Sequence, residues 1–283
     1  MKNLNSVKII VIIFLTLTIW AVWANKAIEI NYHEVISPLI PDAFEGFKIA
    51  HLSDLHNESF GEDNEKLIDV LRENSPDIIV ITGDIIDSRR TNMDVAENFV
   101  SEAVKIAPVY YVNGNHEARI SGYDDFEKRL ISCGVAVLNN ESIFLKKGDD
   151  SINLIGLRDP SFDRGEYIED TEGKLTDRLE NLKKEGYNIL LSHRPEYFEV
   201  YVKSGIDLVF TGHAHGGQFR LPFIGGLYAP GQGIFPKYTS GMHTSENTSM
   251  LVSRGLGNSI IPIRINNRPE VIFVMLKSEK YGM

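Results

Sequence analysis

The stretch FKIAHLSDLH, residues 47–56, decides the fold. It reads as a buried strand that stops in a polar turn carrying a carboxylate and an imidazole. Two downstream stretches repeat the pattern: DIIVITGD at 77–84 and PVYYVNGNHE at 108–117. Between them, residues 62–74 place Leu67, Val70 and Leu71 on one helical face, and a second helix is expected around Asp94 to Ile106. Near-continuous apolar strands alternating with amphipathic helices indicate a sheet covered on both faces.

The second half continues with shorter strands: SIFLKK (142–147), INLIGL (152–157), NILLSH (188–193) and DLVFTGH (207–213). A helix over Thr171 to Lys184 falls among them, within a charged stretch, Asp163 to Glu185, that reads as solvated helix and loop. SMLVSRGLG (249–257) and PEVIFVML (269–276) read as closing strands. The expected fold is α/β: two mixed β-sheets packed as a sandwich and flanked by α-helices.

The amino terminus is different. Lys2 and Lys8 precede IIVIIFLTLTIWAVWA, an uncharged run of 16 residues from Ile9 to Ala24. It is apolar on every face, with Trp20 and Trp23 at its far end, so the reading is an N-terminal transmembrane helix. The lysines would stay in the cytoplasm and the rest of the chain would face outward. A signal peptide cleaved after small residues such as Val22 and Ala24, giving a secreted chain, is the alternative. The domain expectation is a membrane anchor or signal segment over 1–28, a connector with one strand (IEINYHEV, 28–35) over 29–45, and one catalytic domain over 46–283.

Composition narrows the partners. With 29 Lys+Arg against 39 Asp+Glu, the net charge of -10 does not suit a nonspecific nucleic-acid binder, and no nucleic acid is expected. The single cysteine, Cys133, excludes an intrachain disulfide framework.

Five polar turns follow apolar strands: SDLH (53–56), GDIID (83–87), GNHE (114–117), SHRP (192–195) and GHAH (212–215). Ligand sites of α/β sheets form at the carboxyl ends of strands. The turns supply carboxylates, an amide and imidazoles but no thiolate, a set that suits Mn, Fe or Zn at a reactive site rather than a structural zinc cage. Asp54 and His56, like His213 and His215, are two residues apart, and strand alternation would turn each pair toward one spot. The seven candidate ligands are Asp54, His56, Asp84, Asn115, His193, His213 and His215. His51 reads as a buried histidine, and Asp87 as a group that steadies its turn.

In order and spacing, these turns resemble the calcineurin-like metallophosphoesterases, and SRGLG with PIRINNRPEV resembles the bacterial membrane-associated branch of that family. The resemblance implies a double β-sandwich and two divalent metal ions. Asp54, His56 and His215 would hold one ion and Asn115, His193 and His213 the other, with Asp84 bridging both. It also implies that His116 is a catalytic group near the leaving group rather than a ligand. Glu117 stands where many members have Asp, and its role is open.

The expected activity is hydrolysis of a phosphoester by a hydroxide that the two metals activate. The N-terminal segment points to a membrane partner and to a phospholipid or other lipid headgroup as substrate. The Gly- and Phe-containing stretch from Gly216 to Phe235 would touch lipid or simply form a hairpin under the site. A lipid-linked nucleotide-sugar pyrophosphatase is the alternative enzyme. A non-catalytic membrane-bound metal-binding protein is the alternative from another class.

Overall fold

The computed structural model describes residues 2–163, 170–258 and 263–279. Residues 164–169 of the charged stretch, and Pro262 at the start of PIRINNRPEV, lie outside the described residues.

In chain order, helix α1 (Lys2–Ala24) leads into strands β1 (Glu29–Ser37) and β2 (Lys48–Leu52). Then α2 (Glu65–Asn74), β3 (Ile78–Thr82), α3 (Met93–Ala103), β4 (Val109–Val112), α4 (Tyr123–Ser132) and β5 (Ala136–Val137) alternate. The second half runs through β6 (Glu141–Lys147), β7 (Asp150–Gly156), α5 (Thr171–Leu182), β8 (Asn188–Leu191), α6 (Phe198–Lys203) and β9 (Leu208–Thr211). Four two-residue strands follow: β10 (Arg220–Leu221), β11 (Gly225–Gly226), β12 (Tyr228–Ala229) and β13 (Gly233–Ile234). The chain closes with β14 (Gly241–Ser245), β15 (Thr248–Val252) and β16 (Glu270–Ser278).

These strands build two mixed six-stranded sheets, ordered β1-β16-β2-β3-β4-β5 and β14-β15-β9-β8-β7-β6. Strands β2 to β5 run parallel, as do β7, β8, β9 and β15. Parallel neighbours need long crossovers, which α2 to α6 supply. β1, in the segment set apart as a connector, pairs along its length with β16, from Glu29 opposite Glu270 to Ser37 opposite Ser278.

Three apolar cores hold the layers. Ile49, Val80, Val112, Leu191, Phe210 and Val274 pack between the two sheets. Leu67, Leu71, Phe99 and Phe126 of α2 to α4 cover the outer face of the first sheet. Leu175, Leu179, Phe198 and Tyr201 of α5 and α6 cover the second. Every residue of β3, and every residue of β8, is buried, which is why their sequences lack the alternation of a half-exposed strand.

The amino-terminal expectation is corrected. Residues 2–24 are helical, but among the described residues no helix is long and apolar enough to cross a membrane. The physical reason lies in the length of the uncharged run. Its 16 residues rise about 24 Å at 1.5 Å each, short of the roughly 30 Å hydrocarbon layer. Ile12, Phe14, Ile19 and Val22 are nevertheless exposed on α1, and Ala24 at its end is buried against the domain.

Candidate metal centre

The five polar turns all start at carboxyl ends of parallel strands: β2, β3 and β4 from one sheet, β8 and β9 from the other. The sheets stack so that both sets open on one rim. The turns are stitched by main-chain bonds, Asp54 N–H to the Gly83 carbonyl and His56 N–H to the Asp84 carbonyl, both 3.0 Å. Gly212 N–H reaches the His193 carbonyl at 3.3 Å.

The reason the pairs converge differs from strand alternation. Asp54 (φ 54°), His56 (φ 49°), Asp84 (φ 50°), His213 (φ 65°) and His215 (φ 47°) all adopt left-handed backbone beyond the strand ends. Such conformations in residues with a side chain cost on the order of 1–3 kcal/mol each and gather at functional sites. Glycine makes room for them. A Cβ at Gly114 would lie 2.3 Å from Asp84 Oδ1, and one at Gly212 would lie 2.4 Å from Asp54 Oδ2.

Each carboxylate is held by one oxygen and presents the other. Asp84 Oδ1 accepts the His116 N–H at 2.7 Å, and Asp54 Oδ2 accepts the His213 N–H at 3.0 Å. Asp54 Oδ1 is buried without a hydrogen-bond partner. It lies 3.4 Å from His215 Nε2 and 3.7 Å from His56 Nε2. Asp84 Oδ2 lies 3.7 Å from His56 Nε2 and 3.2 Å from His193 Nε2, between the two halves of the site. His193 Nε2 is 3.2 Å from Asn115 Oδ1 and 3.1 Å from His213 Nδ1, while its Nδ1 faces the Thr82 carbonyl at 2.7 Å. All seven predicted ligands therefore lie together, and all are buried.

The donors fit divalent cations. Asp54, His56 and His215 offer atoms within 4.8 Å of one another, as do Asp84, His193 and His213. Imidazole nitrogens 3.2 Å apart, as in His56 and His215, point lone pairs at a shared space, which is the arrangement an ion uses. Charge agrees. Burial opposes ionisation of Asp54 and Asp84, yet the surrounding imidazoles, His215 and His193 foremost, hold both carboxyls below the usual range. Burial likewise opposes protonation of His193, but Asp84, Asp54 and Asp159 raise its pKa. Both shifts say that this cluster stabilises positive charge among its donors. Burial pushes His215 down to about 3 and, with Arg194, also lowers His213, leaving neutral nitrogens.

His116 stands at the edge of this cluster, its ring 4.5 Å from that of His56 and within reach of Asp84. Its Nδ1 accepts the Ser88 N–H at 3.1 Å, so the neutral ring carries its proton on Nε2. Burial lowers its pKa to about 4. Asp87 accepts from Arg89 through backbone and guanidinium and lies 3.6 Å from His116 Nδ1, so it steadies the turn under that ring. His51 sits between the sheets, edge-on to Phe210 at 5.0 Å with Nε2 2.8 Å from Thr82 Oγ1. Burial lowers it to about 3, and it is a packing histidine.

Two participants were not legible as such. Glu117 is fully buried and takes the N–H groups of Asp84, Gly114 and Ile86. Arg194, beside His193, places one guanidinium nitrogen 2.9 Å from His213 Nε2 while Asp159 grips the others at 2.6 and 3.0 Å. The neighbouring motif residues were the only signal for Arg194, and nothing local marks Asp159 as its partner.

Comparison with known proteins agrees with this site. The family model for the calcineurin-like phosphoesterases matches residues 47–217. The chain is 34% identical over 256 residues to the metallophosphoesterase YkuE of Bacillus subtilis (strain 168), covering 89% of this chain and 86% of that one. It is 27% identical over 235 residues to the phosphodiesterase YaeI of Escherichia coli (strain K12), covering 81% and 82%. The crystal structure of TT1561 of Thermus thermophilus shares the fold, with a TM-score of 0.52 at 15% identity over 75% of this chain and 90% of that one. The chain belongs to the calcineurin-like phosphoesterase family and is a metallophosphoesterase, a hydrolase of phosphoester bonds.

Proposed function

We propose that the chain is a two-metal phosphodiesterase. Asp54, His56 and His215 would hold one divalent cation and Asn115, His193 and His213 a second, with Asp84 in reach of both; Mn, Fe or Zn suits these donors. The observation that carries this reading is the position of Asp84 Oδ2, within 3.7 Å of His56 Nε2 and 3.2 Å of His193 Nε2. When bound, the ions supply Lewis acidity toward phosphoryl oxygens and a nucleophile at neutral pH.

The chain's own groups do the rest. The main-chain N–H groups of His116 and His213 each occupy one carboxylate oxygen, so Asp84 and Asp54 present the other without reorganising. Thr82 fixes the tautomer of His193 through its carbonyl. His116 directs its Nε2–H toward the departing oxygen and stabilises the charge there through a hydrogen bond, which a neutral ring can donate; the proton that completes the alcohol comes from solvent.

The substrate class we favour is a phospholipid or other lipid-linked phosphoester. The exposed apolar side chains of α1 support it, as do Phe223, exposed in the turn between β10 and β11, and Phe235, exposed just after β13. We place the chain at a membrane surface, with α1 toward the lipid.

Hydrolysis of bis-p-nitrophenyl phosphate and p-nitrophenyl phosphate by Mn-loaded protein tests the reaction. The diester is expected to be cleaved, with Asp84→Asn losing both metal and activity. Inactivity on every phosphoester tried, together with full metal content in Asp84→Asn, would sink the reading. Recovery of the protein from cell lysates with the membrane fraction tests the location; recovery free of membranes contradicts it.

A further inference from the structure

A cavity of about 570 Å³ lies between α1 and the rim of the catalytic domain. That size falls within the roughly 300–1,000 Å³ of small-molecule sites. Its two sides differ in chemistry. Phe14, Ala21 and Val22 of α1, with Ile263, make an apolar wall. Lys26, Glu58 and Arg90 put charge on the other.

The helix end that forms this wall is pinned. Asn25 donates to the Arg264 carbonyl at 3.2 Å and accepts the Arg264 N–H at 2.8 Å. The Arg268 guanidinium lies 5.2 Å from the Trp23 ring and donates to the Ala27 and Ile28 carbonyls at 3.0 and 2.9 Å. Lys26 pairs with Glu58 and donates to the Ser59 carbonyl at 3.1 Å.

The charged side belongs to the loops of the metal centre. Glu58 is two residues beyond His56. The Arg90 carbonyl accepts from the Asn57 side chain at 2.6 Å, and its guanidinium lies 3.5 Å from Asp87. Asn258, also in the lining, follows Gly257, whose N–H bonds the Asp54 carbonyl at 2.6 Å.

We propose that this cavity receives the hydrocarbon tail of an amphiphilic phosphoester, placing the phosphate toward Lys26, Arg90 and the metal-centre loops. The inference rests on the phosphoesterase reading of that centre and names the part of the substrate it does not address. The apolar wall takes the methylenes. Lys26 and Arg90, now paired with Glu58 and Asp87, would turn to the anionic end, in a chain whose net charge of -10 otherwise repels it. The amphiphile's own polarity thus matches the two sides.

Both tryptophans of the chain, Trp20 and Trp23, lie in α1 beside the residues that form this wall, so emission excited selectively at the indole band reports on that helix. Octyl, decyl and dodecyl phosphate, each below its micelle-forming concentration, are titrated into metal-free full-length protein. The emission is expected to change saturably, with affinity rising by up to about fourfold per added methylene, the value of full burial. Ala21→Phe, which narrows the cavity, is expected to weaken dodecyl phosphate binding at least about tenfold, and Thr18→Phe serves the same purpose if the first variant does not fold. A response independent of chain length, an equal response to inorganic phosphate, or full binding by a folded variant overturns the proposal. In Mn-loaded protein, the rate ratio of a long-chain to a short-chain diester is expected to fall in the variant. A wild-type protein that cleaves neither diester defeats the phosphoesterase reading, while the emission titration still decides the cavity.

Discussion

One oxygen of the Glu117 carboxylate accepts the N–H of Asp84 at 2.9 Å and that of Gly114 at 2.7 Å, and the other accepts Ile86 N–H at 3.2 Å. Glu117 thereby clamps the turn after β3, which carries the shared ligand, to the turn after β4, which carries Asn115. Burial and the nearby Asp84 charge push its carboxyl up to about 7, against the pull of these N–H donors. Glu117→Ala leaves three buried donors unmatched, at about 1–3 kcal/mol each. Metal affinity is expected to fall about 10–100-fold, as for other residues that orient ligands. Urea midpoints and metal content by mass spectrometry measure both; an unchanged midpoint with full metal content refutes the clamp.

His116 separates metal binding from turnover. Because Ser88 caps its Nδ1 and it reaches the site only from the edge, His116→Ala is expected to retain both metals. Its turnover on a phosphodiester should fall about 10²–10³-fold, the usual contribution of one hydrogen-bond donor to developing charge. Loss of metal in the variant would make His116 a ligand, and unaltered turnover would remove it from the reaction.

Asp159 and Arg194 form a pair whose side chains are almost wholly buried. Burial works against the Asp159 charge, but Arg194 holds its carboxyl below the usual range. The folded pKa is therefore lower than the unfolded value of about 3.9. The stabilisation is fully present above that pH and is lost as pH falls through the folded value. Asp159→Ala is expected to destabilise by about 3–5 kcal/mol at neutral pH, because it leaves a buried guanidinium unpaired. Melting temperatures of the wild type and Asp159→Asn should run parallel from pH 7 to about 4 and converge only below that, and curves that stay parallel down to about pH 2 would contradict the account.

Metal should stabilise the fold as well as enable chemistry, since Asp54 Oδ1 has no hydrogen-bond partner and the Nε2 atoms of His56 and His215 face each other at 3.2 Å beside it. At 100 times the dissociation constant, binding adds about 2.7 kcal/mol. Calorimetry is expected to show a higher melting temperature in Mn and a lower one in chelator, with the shift abolished in Asp84→Asn. A melting temperature indifferent to Mn in the wild type would contradict the ligand set.

The chain itself determined which segments are buried strands and which donors end them. Runs such as IIVIT in β3 and NILL in β8 are apolar on both faces, and that pattern survives any folding context. The donor types were equally legible because imidazoles and carboxylates repeated directly after strands make up a set of metal ligands. Tertiary structure alone decided how they converge. Asp54 and His215 are 161 positions apart (215 − 54), and they meet because two sheets stack with their carboxyl ends on one rim. Left-handed backbone at both residues aims the side chains, a strained conformation that periodicity does not register and that only surrounding contacts stabilise. Glu117 and the Asp159–Arg194 pair escaped for the same reason: their partners are main-chain groups or residues remote in sequence. The amino-terminal run shows the converse, since its apolarity was plain, but a cavity between it and the metal-centre loops exists only once the chain has folded.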